Sequence, residues 1–168
     1  GRVMAAPDSA LYHARRLALE DGKALILASP RLRDGFYEID GSSLERALIA
    51  RAADGHRGLA YGRRLGTRFE EIGRVDLMIT GAVAVGLDGS RVGKGTGFFD
   101  LEYMILREVG SVREDTPVAA IVHDLQVLES VPSSDLDVSV DYILTPTRLI
   151  KTYGPRRRPG GLDAGRAK

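Results

Sequence analysis

The sequence predicts an α/β fold of three layers, with helices on both faces of a mostly parallel sheet. Three observations predict it. Short apolar runs rich in β-formers recur at residues 24–28, 75–79, 118–122 and 142–144. Stretches with apolar residues three and four apart lie between them, the period of a helix with one buried face. No internal repeat or low-complexity segment points to another architecture, and strands alternating with helices imply parallel pairing. The expected organisation is a single domain over 1–153 and a basic, Pro/Gly-rich tail over 154–168.

Taken in order, residues 1–8 read as irregular, with Arg2 an exposed terminal arginine. Asp8 or Ser9 is placed to cap a helix over 10–21. Leu11, Ala14, Leu17 and Ala18 form its apolar face, and Gly22 ends it. The strand run 24–28 stops at Ser29-Pro30. Arg31 and Arg33 follow at the strand end, where open α/β sheets bind their ligands; a phosphate or substrate contact and a solvated arginine pair are equally open. Phe36 and Tyr37 read as core. A short helix over 44–53 is capped by Ser42 or Ser43. The segment 54–73 is polar and glycine-punctuated, with His56 exposed in a loop and Arg63, Arg64 and Arg68 on a solvated face.

The most informative stretch follows. Apolar runs at 75–79 and 82–87 lead to the turn dipeptide Asp88-Gly89. Gly93, Gly95 and Gly97 then alternate with Lys94 and Thr96, with Arg91 just ahead. Phe98, Leu101, Met104 and Ile105 mark a helix with one buried stripe. Glycines let a ligand approach the backbone closely, and a helix start offers unpaired N–H groups and partial positive charge. Lys94 and Arg91 would add donors. Asp100 and Glu102 suit the first helical turn for dipole reasons alone, and Asp100 could also hold Mg²⁺ beside a phosphate. The run is neither GxxxxGK[ST] nor GxGxxG, because Asp88 and Phe98 stand where those motifs need glycine. On the residues alone, an anion site and a plain tight connection weigh equally.

Beyond that helix, the strand 118–122 presents His123-Asp124 at its end. No serine or cysteine elbow accompanies the pair, which argues against a hydrolase triad. His123 is a substrate-side candidate or a structural hydrogen-bonding residue. Asp137 lies in the segment 135–141, which leads to a last strand at 142–144 closed by Thr145-Pro146-Thr147. The tail reads as mobile, or as folding over a site.

Bulk properties exclude several classes. A chain of 168 residues with 43% hydrophobic and 28% charged content is an ordinary globular protein. A net charge of +1 and 6% aromatics supply neither the field nor the stacking platform for nucleic acid. With no cysteine, thiolate chemistry and disulfides are ruled out. No run spans a bilayer and no secretory signal is visible, so no membrane association and a cytoplasmic location are expected.

The block GSRVGKGTGFFD, residues 89–100, resembles the G-x-R-x-G-x-G-G-G-Y-Y-D-R block of 5-formyltetrahydrofolate cyclo-ligases, also called methenyltetrahydrofolate synthetases. The longer VGKGTGFFDLEY is closer to a divergent branch, the methenyltetrahydrofolate synthetase domain-containing proteins. That branch also resembles this chain at AAIVHDLQVLESVP and DVSVDYILTPTRLI. The resemblance implies a Rossmann-like α/β/α sandwich and ATP- and Mg²⁺-dependent conversion of a reduced folate, 5-formyltetrahydrofolate, to 5,10-methenyltetrahydrofolate. It implies ATP or phosphate binding by Arg91, Gly93, Lys94, Gly95, Thr96, Gly97, Phe98 and Arg31, with Lys94 and Arg91 catalytic. Phe98, Phe99, His123 and Arg33 would face the substrate, and Asp100 with Asp137 would hold the metal. This chain departs from the family in three ways. Leu101-Glu102 replaces the arginine after the family's aspartate, an N-terminal helix with nucleotide contacts has no counterpart, and the family's folate-side glutamate has no clear match. A non-catalytic nucleotide- or folate-binding module, or an ATP-dependent enzyme on another small heterocycle, are the alternatives.

Overall fold

The computed structural model describes residues 1–93 and 98–159. Its frame is an eight-stranded sheet built from β1 (Arg2–Ala5), β2 (Ala24–Ala28), β3 (Phe36–Asp40), β4 (Arg63–Arg64), β5 (Leu77–Thr80), β8 (Val118–Ile121), β10 (Tyr142–Leu144) and β11 (Leu149–Lys151). The order across the sheet is β11-β10-β8-β5-β1-β2-β3-β4. The five central strands are parallel, and β11, β3 and β4 extend the two sides antiparallel. A second sheet joins β6 (Ala84–Gly86), β7 (Arg91–Val92) and β9 (Val127–Leu128) in the order β7-β6-β9.

Alternation along the strands sorts the core into two halves, since successive side chains leave a strand on opposite faces. Val3, Ala5, Leu25, Leu27 and Ile79 pack with Leu11, Leu19 and Ile49, which belong to the turns and helices α1 (Tyr12–Glu20) and α2 (Ile49–Ala52). Met4, Ile26, Met78, Ala120 and Ile143 pack with Phe99, Tyr103 and Leu106 of α4 (Phe98–Glu108) and with Ile72 of the short α3 (Phe69–Ile72). The three expected layers are therefore present.

Several local readings are corrected. Residues 2–5 are not irregular: they form the strand between β2 and β5, with Met4 and Ala5 fully buried. Arg2 is not an exposed terminal residue. Its guanidinium pairs with the buried Glu38 and donates to the Ile72 carbonyl. The apolar face of α1 is rotated from the expected one: Leu17 is exposed, while Leu19 and Arg15 are buried. Asp8 precedes a 3₁₀ turn at Ser9–Leu11 without a side-chain capping bond. Only 46–52 of the expected 44–53 helix is helical, as a 3₁₀ turn followed by α2, and Ser42 bonds Asp40 instead of capping it. Strand β10 is followed by β11 and is not the last.

Candidate functional site

Strand order decides where a site can form. The chain leaves β1 through α1 to β2 on one side, while β5 pairs on the other side of β1. Between β1 and β5 the connections diverge, opening a crevice at the carboxyl ends of the strands. A cavity lies there. Ala6, Pro7 and Asp8 line it from the end of β1, Thr80 and Gly81 from the end of β5, and Ala28 and Ser29 from the end of β2. The remaining wall comes from Arg31 and Leu32, His56, Arg91 and Gly93, and the first turns of α4 at Phe98, Phe99, Asp100 and Glu102.

Each contributor is held by identifiable contacts. Arg15 is buried in α1 and donates through Nε to the Ala53 carbonyl at 2.9 Å, and through Nη1 to the carbonyls of Ala6 and Asp8 at 2.7 Å each. One side chain thus fixes both the Asp8 loop and the segment that carries His56. Burial and then Asp8 and Asp54 act on it, burial winning, so its pKa lies below the usual arginine value. The His56 pKa is also lowered, by burial first and by Arg15 second, which keeps the ring neutral at pH 7. Gly81 is matched to Asp8: a Cβ there would lie 2.8 Å from the Asp8 Oδ2.

The Arg31 loop is strained. Arg31 and Leu32 are consecutive non-glycine residues in the left-handed region, at φ 53° and 58°. The buried Ser29 holds them, its Oγ accepting from the Asp34 amide at 2.9 Å and donating to the Gly35 carbonyl at 3.0 Å. Strain of this kind persists only where surrounding contacts enforce it. Its result is to turn Arg31 into the cavity wall, while Arg33 stays exposed outside it.

Arg91 and Asp100 form the charged centre. Arg91 Nη2 meets Asp100 Oδ1 at 2.5 Å, with the arginine side chain 3% exposed. The same Oδ1 accepts from the Val138 amide at 2.9 Å, Arg91 Nε donates to the Val138 carbonyl at 3.4 Å, and the guanidinium carbon lies 5.0 Å from the Phe99 ring centre. Glu102, two residues further along α4, is 4% exposed, and its Oε1 has no hydrogen-bond partner among the described residues. Burial, then Asp8 and Asp100, push its pKa up to about 8.

The expected residues therefore separate into groups. Arg31, Arg91, Gly93, Phe98, Phe99 and Asp100 share one wall. Lys94, Gly95, Thr96 and Gly97 lie outside the described residues, although Gly93 and Phe98, which bracket them, both line the cavity. Arg33, His123 and Asp137 are not among its lining residues. The exposed His123 caps the 3₁₀ turn Asp124–Gln126, its Nδ1 accepting from the Leu125 amide at 3.1 Å. Asp137 accepts from the Ser134 amide at 2.7 Å. Among the described residues, no three His, Asp or Glu side chains are grouped to hold a metal. Asp100 still lines the cavity, and magnesium needs only one or two carboxylates beside phosphate oxygens and water. Asp8 and Glu102 join the cavity beyond the residues that the sequence singles out, and His56, exposed as expected, also lines it. The only sequence signal for Asp8 was its place after an apolar run ending in proline.

Known proteins resemble the chain in sequence and in fold. The model of the 5-formyltetrahydrofolate cyclo-ligase family matches residues 2–146. The chain is 38% identical over 161 residues to the methenyltetrahydrofolate synthase domain-containing protein of Bos taurus and 37% identical to that of Homo sapiens, covering 93% of this chain in each case. It spans 42% and 41% of those two proteins, less than half of their length. It is also 35% identical over 81 residues to the 5-formyltetrahydrofolate cyclo-ligase of Mycolicibacterium smegmatis, covering 48% of this chain and 39% of that one. The NMR structure of Aquifex aeolicus 5,10-methenyltetrahydrofolate synthetase matches with a TM-score of 0.54 at 18% identity, over 92% of this chain and 73% of that one, a likeness of fold.

Proposed function

Since the chain belongs to the 5-formyltetrahydrofolate cyclo-ligase family, we propose that it closes 5-formyltetrahydrofolate to 5,10-methenyltetrahydrofolate, with ATP converted to ADP and phosphate, in the cavity above β1 and β5. The observation that carries this reading is the convergence of Arg31, Arg91 and the start of α4 on the topological switch point of a parallel sheet.

In this reading, ATP phosphorylates the formyl oxygen, N10 attacks the activated carbon, and phosphate leaves. Phosphoryl transfer asks a protein for positioning and charge neutralisation. Arg31 and Lys94 supply positive charge to the phosphates. Arg91 holds Asp100 in place, and Asp100 would help carry magnesium, which offsets the charge of the phosphate oxygens, whereas Asp137 lies outside the cavity lining. Phe98 presents an aromatic face at the cavity wall, suited to packing on a heterocycle. Neutral His56 and Glu102 Oε1, which has no partner among the described residues, accept hydrogen bonds from ligand N–H groups.

A second reading, a nucleotide- or folate-binding module without turnover, is favoured by one observation. Arg91 is buried, with Nη2 committed to Asp100 and Nε to Val138. The test is incubation with ATP, Mg²⁺ and 5-formyltetrahydrofolate, following methenyl absorbance. Product supports the ligase; ATP binding without product supports the module.

A further inference from the structure

The segment Pro155-Arg156-Arg157-Arg158-Pro159 is framed by prolines and carries three consecutive arginines, a composition that reads as a loose basic tail. Its contacts are of another kind. The Arg157 amide donates to Ser139 Oγ at 2.7 Å, and the Ser139 amide donates to the Arg157 carbonyl at 3.1 Å, a reciprocal pair. Arg157 Nη1 reaches Ser133 Oγ at 2.5 Å and the Ser134 carbonyl at 2.8 Å. Arg158, its side chain 2% exposed, donates to the Ser139 carbonyl and pairs with Asp141 Oδ2 at 2.5 Å. Arg156 takes the other Asp141 oxygen at 2.9 Å. Asp141 is itself tied to the sheet, because Oδ2 accepts from the Val118 amide at the start of β8.

Ser139 is the residue next to Val138, whose amide and carbonyl complete the Arg91–Asp100 pair. One peptide therefore meets the arginine segment on one side and Arg91 of the cavity wall on the other. The arrangement also leaves Arg158 Nε and the nearby Tyr103 hydroxyl buried without partners among the described residues. Buried unmet polar groups are costly, so plain packing would be better served by apolar residues at these positions.

We infer that Arg157 and Arg158 are positioning residues for the cavity: by clasping Ser139 and Asp141 they hold Val138 against Asp100 and keep the Arg91–Asp100 pair in register. They touch no ligand and act through the 138–139 peptide. The clasp is independent of which ligand the cavity takes.

The test is amide exchange followed by NMR on the full chain, with the Arg91 Nε–H resonance read alongside. Arg158→Ala is expected to speed exchange of the Val138 amide and of Arg91 Nε–H at least tenfold, while the Met4 and Met78 amides keep their wild-type rates. Ser139→Ala is expected to act in the same direction, and Ser139→Thr, which retains the hydroxyl, to restore the wild-type rate. Unchanged Val138 exchange, or an equal acceleration at Met4 and Met78, overturns the inference. If Arg158→Ala does not fold, the Ser139→Ala and Ser139→Thr pair decides by the same criteria. Titration of the same samples with Mg²⁺–ATP is expected to show about tenfold weaker binding where Val138 exchange rises. Absence of ATP binding by the wild-type protein would overturn the proposed ligase and leave the exchange result to judge the clasp.

Discussion

Arg91 and Asp100 meet at 2.5 Å within the cavity wall, and Asp100 Oδ1 also receives the Val138 amide. Removing one partner strands a buried charge. Asp100→Ala is expected to cost about 3–5 kcal/mol in urea unfolding. The double replacement Arg91→Met with Asp100→Leu is expected to cost less than either single change, because it removes both desolvation penalties. A double variant as unstable as the sum of the singles would mean that the pair is not coupled.

Glu102 makes stability depend on pH in a defined direction. Its folded pKa of about 8 lies above the ordinary 4.5, so the folded state keeps a proton that the unfolded state releases. The contribution is fully present below about pH 4.5 and is lost as pH rises towards and through 8. Glu102→Gln, which stays neutral, is expected to gain on the wild type between pH 5.5 and 8.5, by an amount on the order of a few kcal/mol. Thermal melts at the two pH values check it, and parallel pH profiles would refute it.

The strained Arg31 offers a trade between stability and binding. A left-handed non-glycine residue costs roughly 1–2 kcal/mol, and the greater freedom of glycine in the unfolded chain offsets part of any gain. Arg31→Gly is therefore expected to stabilise the fold by about 0.5–1 kcal/mol while weakening Mg²⁺–ATP binding. Calorimetric titration and denaturant melts on one preparation measure both, and loss of stability would count against the strain.

Lys94 is assigned to phosphate by its setting among Gly93, Gly95 and Gly97. Lys94→Ala is expected to weaken Mg²⁺–ATP binding about tenfold, roughly 1.4 kcal/mol, with little change in melting temperature. Unchanged affinity would remove the lysine from the phosphate site.

Much of the sheet was legible because β2, β5 and β8 are apolar runs that carry their own signal. The helix α4 was legible too, but its buried stripe is Phe99, Tyr103 and Leu106, whereas the expected Phe98, Leu101, Met104 and Ile105 are only half-buried. β1 was not. Four residues are too few for a period, and their burial comes from partners about twenty and seventy positions away, such as Leu25 and Leu77 for Val3. The exposure of Leu17 escapes for a related reason: the buried place on α1 goes to Arg15, and a buried arginine satisfied by three carbonyls is invisible to hydropathy. The glycine block could be read as a motif, whereas Asp8, His56 and Glu102 gather only once the strand order brings their elements together.

That strand order has a consequence for how the molecule assembles. β2 and β5 each pair with β1 and not with one another, so the four residues Arg2–Ala5 are the seam joining the two halves of the sheet. They are synthesised well ahead of β5 and cannot find that second neighbour until it has been added. The crevice forms where that seam closes and so depends on non-local pairing, the kind of contact that slows folding.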